Sequence, residues 1–291
     1  MINQFPTNPF SIRNHRLFTG NEPVPFLRSP NQSGDFAPRG IIIHDTAGRL
    51  DKGNAVGWFL SSEARASAHL VVERDGSVTQ QVGFERRAWH AGKSSYQGQR
   101  DVNVFAFGIE MVNLGKCSKQ RDGSFQPWFK GSYWDGTDGF SFSFAASRAH
   151  GKGWWLDYSS AQIRTVTHLC AALIGKYDLS FIAGHWEISP GRKIDPNPLF
   201  PLDALRTRLL GAEREDEVSS ILLADANLRR WPSYHDNVIA VLAKGTPVEI
   251  IRSGHYKPLG QSEIWHLVEA GDQQGWISGT LIEAPCSATL H

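Results

Sequence analysis

Gly184-His185-Trp186-Glu187-Ile188-Ser189-Pro190-Gly191-Arg192-Lys193-Ile194-Asp195-Pro196 puts an imidazole, a lysine and a carboxylate on one loop stiffened by glycine and proline. The apolar run Phe181-Ile182-Ala183-Gly184 before it reads as a strand whose end delivers His185. Zinc accepts both imidazole and carboxylate, but two ligands make a weak site, so a third donor is expected from elsewhere. His44 is the obvious one, because it ends the run Ile41-Ile42-Ile43 and is followed by the polar loop Asp45-Thr46-Ala47-Gly48. One Zn2+ held by His44, His185 and Asp195 leaves a fourth tetrahedral position for water, the arrangement of catalytic rather than structural zinc. The chain reads as a zinc hydrolase.

Outward from these two strands the pattern alternates. Asn54 opens a short predicted helix over 53–62 with Val56, Phe59 and Leu60 on one side, and Asp75-Gly76 between the β-rich runs 68–73 and 78–82 signals a hairpin. A further strand over 105–112 contains Glu110. Ile163, Val166, Cys170, Leu173, Ile174 and Tyr177 keep a helical rhythm over 160–177, with Ser159 and Gln162 as a capping box and His168 off the apolar face. A closing helix is expected over 200–210, ended by Gly211. Strands interleaved with helices predict an α/β domain over 38–211, a mixed central sheet flanked by helices. The proline-rich stretch 1–37 is expected to be an extended arm. The aromatic, glycine-rich insertion 115–157 is too apolar for disorder and too irregular for one element. The charge run Glu213-Arg214-Glu215-Asp216-Glu217 predicts a solvated linker over 212–218, and the glycine-separated apolar runs of 219–291 predict a small all-β barrel or sandwich.

Composition narrows the function classes. The 291 residues, 41% of them hydrophobic, suffice for one sizeable domain and a smaller one, and 30 Lys+Arg against 29 Asp+Glu give a net charge of +1. That balance suggests neither nucleic acid nor an anionic membrane as partner. Cys117, Cys170 and Cys286 are odd in number and scattered, which excludes a fully paired framework and any CxxC knuckle. No run approaches membrane-spanning length and none has the apolar core of a signal peptide, so cytoplasmic synthesis is expected.

Five motifs in order then carry a resemblance: His44 in Ile-Ile-Ile-His-Asp-Thr, Ser67-Ala68-His69, Trp89-His90-Ala91-Gly92, Phe107-Gly108-Ile109-Glu110, and Gly184-His185 to Asp195-Pro196. Together they resemble the type-2 N-acetylmuramoyl-L-alanine amidases, which share a fold with peptidoglycan-recognition proteins, and Ala88 to Gly98 is particularly similar to the branch that processes anhydro-muropeptides. The resemblance implies that His44, His185 and Asp195 ligate zinc, that Glu110 is the catalytic acid/base and that Lys193 is the catalytic lysine. It further implies that the substrate is peptidoglycan or a muropeptide, cut at the amide joining the lactyl group of N-acetylmuramic acid to L-alanine. Trp89, His90 and Arg192 are candidate substrate contacts, although His69 and His90 read equally well as histidines packed beneath the site. Asn197 stands where the family commonly has glycine, and asparagine suits a left-handed turn there.

The C-terminal region, with Ala226-Asn227-Leu228-Arg229, Gly245-Thr246-Pro247-Val248 and Gly275-Trp276-Ile277, resembles bacterial SH3-like domains, which often hold enzymes on cell walls. Trp231, Trp265 and Tyr256 are its candidate ligand contacts, and a stabilising appendage or oligomer contact is the plainer reading. Other activities fit the same scaffold: a non-catalytic peptidoglycan-binding protein, or a zinc peptidase acting on stem peptides. Three competent donors at the ligand positions favour the amidase. A recycling enzyme, a phage endolysin and an effector delivered by a dedicated secretion route all fit a chain without an export signal, and no oligomeric state is implied.

Overall fold

Ile41, Ile42 and Ile43 present β-branched side chains to both faces of one strand, so that strand must be covered on both sides. In the computed structural model, which describes residues 8–147, 149–211, 218–229, 232, 234, 238–256, 263–271 and 273–283, the strand Gly40–Asp45 is buried throughout. Phe181–Gly184 and Ala106–Met111 flank it, both parallel to it. Leu70–Val72 extends the sheet in parallel and Val78–Gln80 closes it antiparallel, giving a five-stranded mixed sheet. The hairpin between those last two strands turns at Asp75-Gly76 as predicted, with Asp75 Oδ1 accepting from Ser77 N at 2.9 Å.

The helix Ser160–Tyr177 has the predicted bounds. Ser159 Oγ accepts from Gln162 N at 3.0 Å and Gln162 Oε1 from Ser159 N at 3.2 Å, so the capping box is formed. Its buried face is Val166, Leu169, Cys170 and Leu173, with Gln162 buried beside them and donating to Val112 O at 2.9 Å. Val166, Cys170 and Leu173 of the predicted face are buried, Ile163, Ile174 and Tyr177 are half-buried, and Leu169 joins the buried side. The short helix Asn54–Leu60 buries Val56 and Phe59 against Val71 and Val112. Among the described residues no helix is long and apolar enough to cross a membrane.

Two regions hold more regular structure than the sequence suggested. The arm carries strands Phe10–Arg13, Arg16–Thr19 and Glu22–Pro23 in one small sheet, and Gln32–Asp35 pairs with Arg86–Ala88. Its first hairpin turns on Asn14 and His15, both at positive φ, between the paired Arg13 and Arg16. The insertion is a four-stranded sheet of Lys116–Lys119, Phe125–Gln126, Phe142–Ser147 and Gly151–Leu156. Leu114, Cys117, Phe125, Phe142 and Leu156 form its core, with Phe125 stacked on Phe142 at 4.1 Å between ring centroids. Packing, not disorder, accounts for its aromatic content.

The chain divides into two units, Met1–Phe142 with Trp154–Leu202 and Ser143–Gly153 with Asp203–His291. The second contains the helical residues 203–210 and a six-stranded antiparallel sheet built from residues 218–278. Leu222, Leu228, Val248, Val268 and Ile277 form its core. Trp265 is buried against Leu267 and Trp276, so it offers no open face to a ligand, contrary to expectation. Residues 212–217 of the predicted linker, Trp231, Cys286 and the Tyr256 side chain lie outside the described residues.

Candidate metal centre

Parallel register decides which side chains meet. Ile43 pairs with Gly184, so the residues that follow, His44 and His185, emerge side by side at the carboxyl ends of neighbouring strands. On the other side His44 pairs with Glu110, and partners in register project from the same face of a sheet. His185 starts a one-turn helix, His185–Ile188, whose preceding Gly184 N donates to Glu187 Oε2 at 2.7 Å. A Cβ on Gly184 would lie 2.7 Å from Trp186 Nε1 and 3.1 Å from Pro196 Cδ, so only glycine lets this loop close. Trp186 N donates to Asp195 O at 3.0 Å, which brings Asp195 back over the start of that helix.

The three donors predicted from sequence converge. His44 Nδ1 lies 2.9 Å from His185 Nδ1 and 3.1 Å from Asp195 Oδ2, and His185 Nδ1 lies 2.9 Å from the same Asp195 oxygen. A tetrahedral ion with bonds of about 2.0–2.1 Å holds its ligands about 3.3 Å apart, so this triangle fits one small divalent cation. Backbone carbonyls fix the tautomers. His185 Nε2 faces the acceptor Ala91 O at 3.2 Å and the Arg192 Nη2 donor at 3.4 Å, and donation to the nearer carbonyl leaves a lone pair on Nδ1. His90 Nε2 donates to Ala106 O at 2.9 Å, so its Nδ1 accepts from His44 Nε2 at 3.0 Å, and His44 Nδ1 likewise keeps its lone pair. Both imidazoles therefore present an electron pair to the same point, held from behind as ligating histidines usually are. Burial, then repulsion from His185, lowers the His44 pKa to about 4, and burial holds His90 well below its ordinary value. Burial works to raise the Asp195 pKa, but the His185 and His44 rings set against its Oδ2 outweigh it and keep the carboxyl well below the usual carboxylate range.

Glu110 is held well above its ordinary pKa by burial and by the charges of Asp195 and Asp45, with Lys193 opposing them. Its Oε2 is buried and has no hydrogen-bond partner among the described residues, a costly state for a carboxylate unless a proton or a cation meets it. The Lys193 cation also acts on His44, lowering its pKa. Asp45, next to His44, points away from the donors: its Oδ2 accepts from Tyr158 Oη and from Asn197 N, each at 2.7 Å. Burial and the charge of Asp195 push Asp45 up to about 7.

A sequence profile described as N-acetylmuramoyl-L-alanine amidase matches residues 34–198. The chain belongs to that family. It is 34% identical over 138 residues to the 1,6-anhydro-N-acetylmuramyl-L-alanine amidase AmpD of Citrobacter freundii, covering 47% of this chain and 53% of that protein. It is 26% identical over 181 residues to the N-acetylmuramoyl-L-alanine amidase AmiD of Escherichia coli (strain K12), covering 59% of this chain and 53% of that one. The chain thus spans about half the length of the curated relatives it matches. Among solved structures, the crystal structure of a Se-Met AmpD derivative aligns with a TM-score of 0.43 at 27% identity over 64% of this chain and 93% of that chain.

Within this amidase domain the predicted residues separate by position. His44, His185 and Asp195 meet, and Glu110 stands in register beside them. His90 is buried behind His44, with both ring nitrogens bonded to protein. His69 is buried further back, accepting from Gly108 N at 3.0 Å and donating to Arg86 O at 3.0 Å. Gly108 of the Phe-Gly-Ile-Glu motif is needed because a Cβ there would lie 2.4 Å from His90 Cγ. Arg192 Nη2 reaches Ala91 O at 2.7 Å, Lys93 O at 2.9 Å and Ser189 Oγ at 2.6 Å, clasping the loop that carries Ala91 to the ligand loop. Trp89 keeps an exposed ring, with Nε1 donating to Ser33 Oγ at 3.1 Å. Sequence reasoning missed Asp45, Tyr158 and Asn113, which with Asn197 anchor the segment after Asp195. Asn197 does not adopt the left-handed conformation expected for it. Its side chain instead donates to Asn113 Oδ1 at 3.2 Å and to Leu156 O at 3.0 Å.

Proposed function

We propose that this chain is a zinc-dependent amidase that hydrolyses the bond between the lactyl carbonyl of N-acetylmuramic acid and the nitrogen of L-alanine, in peptidoglycan or in soluble anhydro-muropeptides. The observation that carries the reading is the triangle of two imidazole nitrogens and one carboxylate oxygen, with an unsatisfied glutamate in register beside it. One Zn2+ held by His44 Nδ1, His185 Nδ1 and Asp195 Oδ2 would polarise the scissile carbonyl and make water acidic enough to attack it. Glu110, whose proton affinity is raised by burial, takes the proton of the attacking water and delivers it to the departing amine nitrogen. The Lys193 ammonium faces the charge that develops on the carbonyl oxygen, a contribution of about 3 kcal/mol for one well-aimed donor. His44 and His185 orient the centre and transfer no proton, because each Nε2–H is committed. The carbon–nitrogen bond breaks to give a lactyl carboxylate and a peptide with a free L-alanine amine. AmpD's name as a 1,6-anhydro-muramyl amidase supports soluble anhydro-fragments as one substrate.

In this reading 38–211 is the catalytic domain with the arm 1–37 laid on it and the insertion 115–157 built into it. Residues 212–218 are a linker, and 219–291 form an SH3-like domain that holds the enzyme on the cell wall. The antiparallel sheet and apolar core of the C-terminal unit support the last assignment. The test offers the full chain both insoluble peptidoglycan and a soluble anhydro-muropeptide and weighs the products. An intact stem peptide beginning with L-alanine, lost on chelation and regained with zinc, is expected. A trimmed peptide would make the chain a zinc peptidase, and binding without any product would make it a binding protein.

A further inference from the structure

Trp128 is the most exposed large apolar side chain among the described residues, at 79%, yet it is held firmly. Its Nε1–H donates to Ala47 O at 2.5 Å, and its ring meets Phe129 edge-on, with centroids 5.6 Å apart and planes at 87°. Phe129 in turn packs on the insertion's core. The carbonyl that Trp128 grips is equally fixed, since Ala47 N donates to Asp45 Oδ1 at 3.2 Å and Gly48 N to Asn113 O at 2.9 Å. Ala47 lies three residues beyond His44, so at most about 11 Å of chain separates the indole's anchor from a metal ligand. An insertion remote in sequence thus ties one exposed aromatic ring to the loop that follows a metal ligand.

The state of the indole restricts what can cover it. Its only polar group is already satisfied by Ala47, so the remaining surface is the π face. That face carries the negative lobe of the ring quadrupole, which favours C–H groups and disfavours carboxylates. Of the two arms of a muropeptide, the stem peptide carries carboxylates and the glycan presents the C–H face of a pyranose. We propose that Trp128 is a glycan subsite that stacks on the sugar next to the muramic acid whose lactyl amide lies at the donors. The proposal rests on the amidase reading, but its test does not depend on turnover.

The full chain is titrated calorimetrically with the disaccharide N-acetylglucosaminyl-N-acetylmuramic acid and with N-acetylmuramic acid alone, neither of which contains the amide. The wild-type chain is expected to bind the disaccharide about fivefold to tenfold more tightly, the scale of one aromatic stacking contact. Trp128→Ala should abolish that preference, while Trp128→Phe, which keeps a ring but loses the bond to Ala47, should retain part of it. Equal binding of the two sugars by the wild type, no binding of either, or an undiminished preference in Trp128→Ala overturns the subsite. Failure of the amidase reading shows separately, as the absence of muropeptide hydrolysis.

Discussion

Replacing His90 by asparagine and by glutamine separates the two ends of the relay behind His44. Asparagine places an acceptor oxygen where Nδ1 stands and keeps the partner of the His44 Nε2–H, but is too short to reach Ala106 O. Glutamine places a donor where Nε2 stands and keeps Ala106 O satisfied, but leaves the buried His44 Nε2–H without its partner. In that variant the metal-free chain can move the His44 proton to Nδ1 and donate it to Asp195 Oδ2, 3.1 Å away. Metal binding must then reverse the change and bury an unsatisfied N–H, at a cost of about 1–3 kcal/mol. That corresponds to about 5-fold to 150-fold in metal affinity, consistent with the roughly 10–100-fold typical of groups behind a ligand. Zinc affinity is measured by chelator competition, and fold stability by urea unfolding of the metal-free chain. His90→Gln should lose affinity and retain more stability, whereas His90→Asn should lose stability by about 1–3 kcal/mol and keep affinity within a few-fold. Parallel losses of affinity in the two variants would refute the relay.

Glu110→Gln should leave zinc affinity within a few-fold and cut turnover by about 10²–10⁴, as read by muropeptide hydrolysis; unchanged turnover removes Glu110 from the mechanism. Asn197→Ala deletes buried bonds to Asn113, Leu156 and Leu199 N and should cost about 1–3 kcal/mol in urea unfolding. Burial lowers the His69 pKa to about 3, so the unfolded chain takes up a proton below about pH 6.5 that the folded chain refuses. Stability should therefore fall on acidification from pH 6.5 toward 3, with His69 contributing up to about 1.4 kcal/mol per pH unit. His69→Asn, which keeps an acceptor for Gly108 N, should flatten that slope by one proton's worth, and an unchanged slope would show that His69 is not its source.

The parts of the fold readable from sequence are those fixed by near neighbours. Ser159 and Gln162 set the start of the long helix, Asp75-Gly76 sets a hairpin, and the ends of apolar runs place His44, Glu110 and His185. The rest depends on partners distant in the chain. The Asn14-His15 turn has no glycine to announce it, and the strands of the insertion are specified mainly by aromatic packing with one another. Asn197 invited a conformational reading because a glycine was expected there. Its actual partners, Asn113 and Leu156, stand 84 and 41 residues away. His90 likewise carries no local sign that its ring lies over Gly108 between His44 and Ala106 O, so a substrate contact was as natural a reading as a buried relay.

Anomalous diffraction at the zinc edge from crystals of the zinc-loaded chain addresses the metal centre most directly. One peak is predicted within about 2.0–2.2 Å of His44 Nδ1, His185 Nδ1 and Asp195 Oδ2 together. A peak bound through either Nε2, one that leaves out any of the three side chains, or no peak at this position would contradict the account.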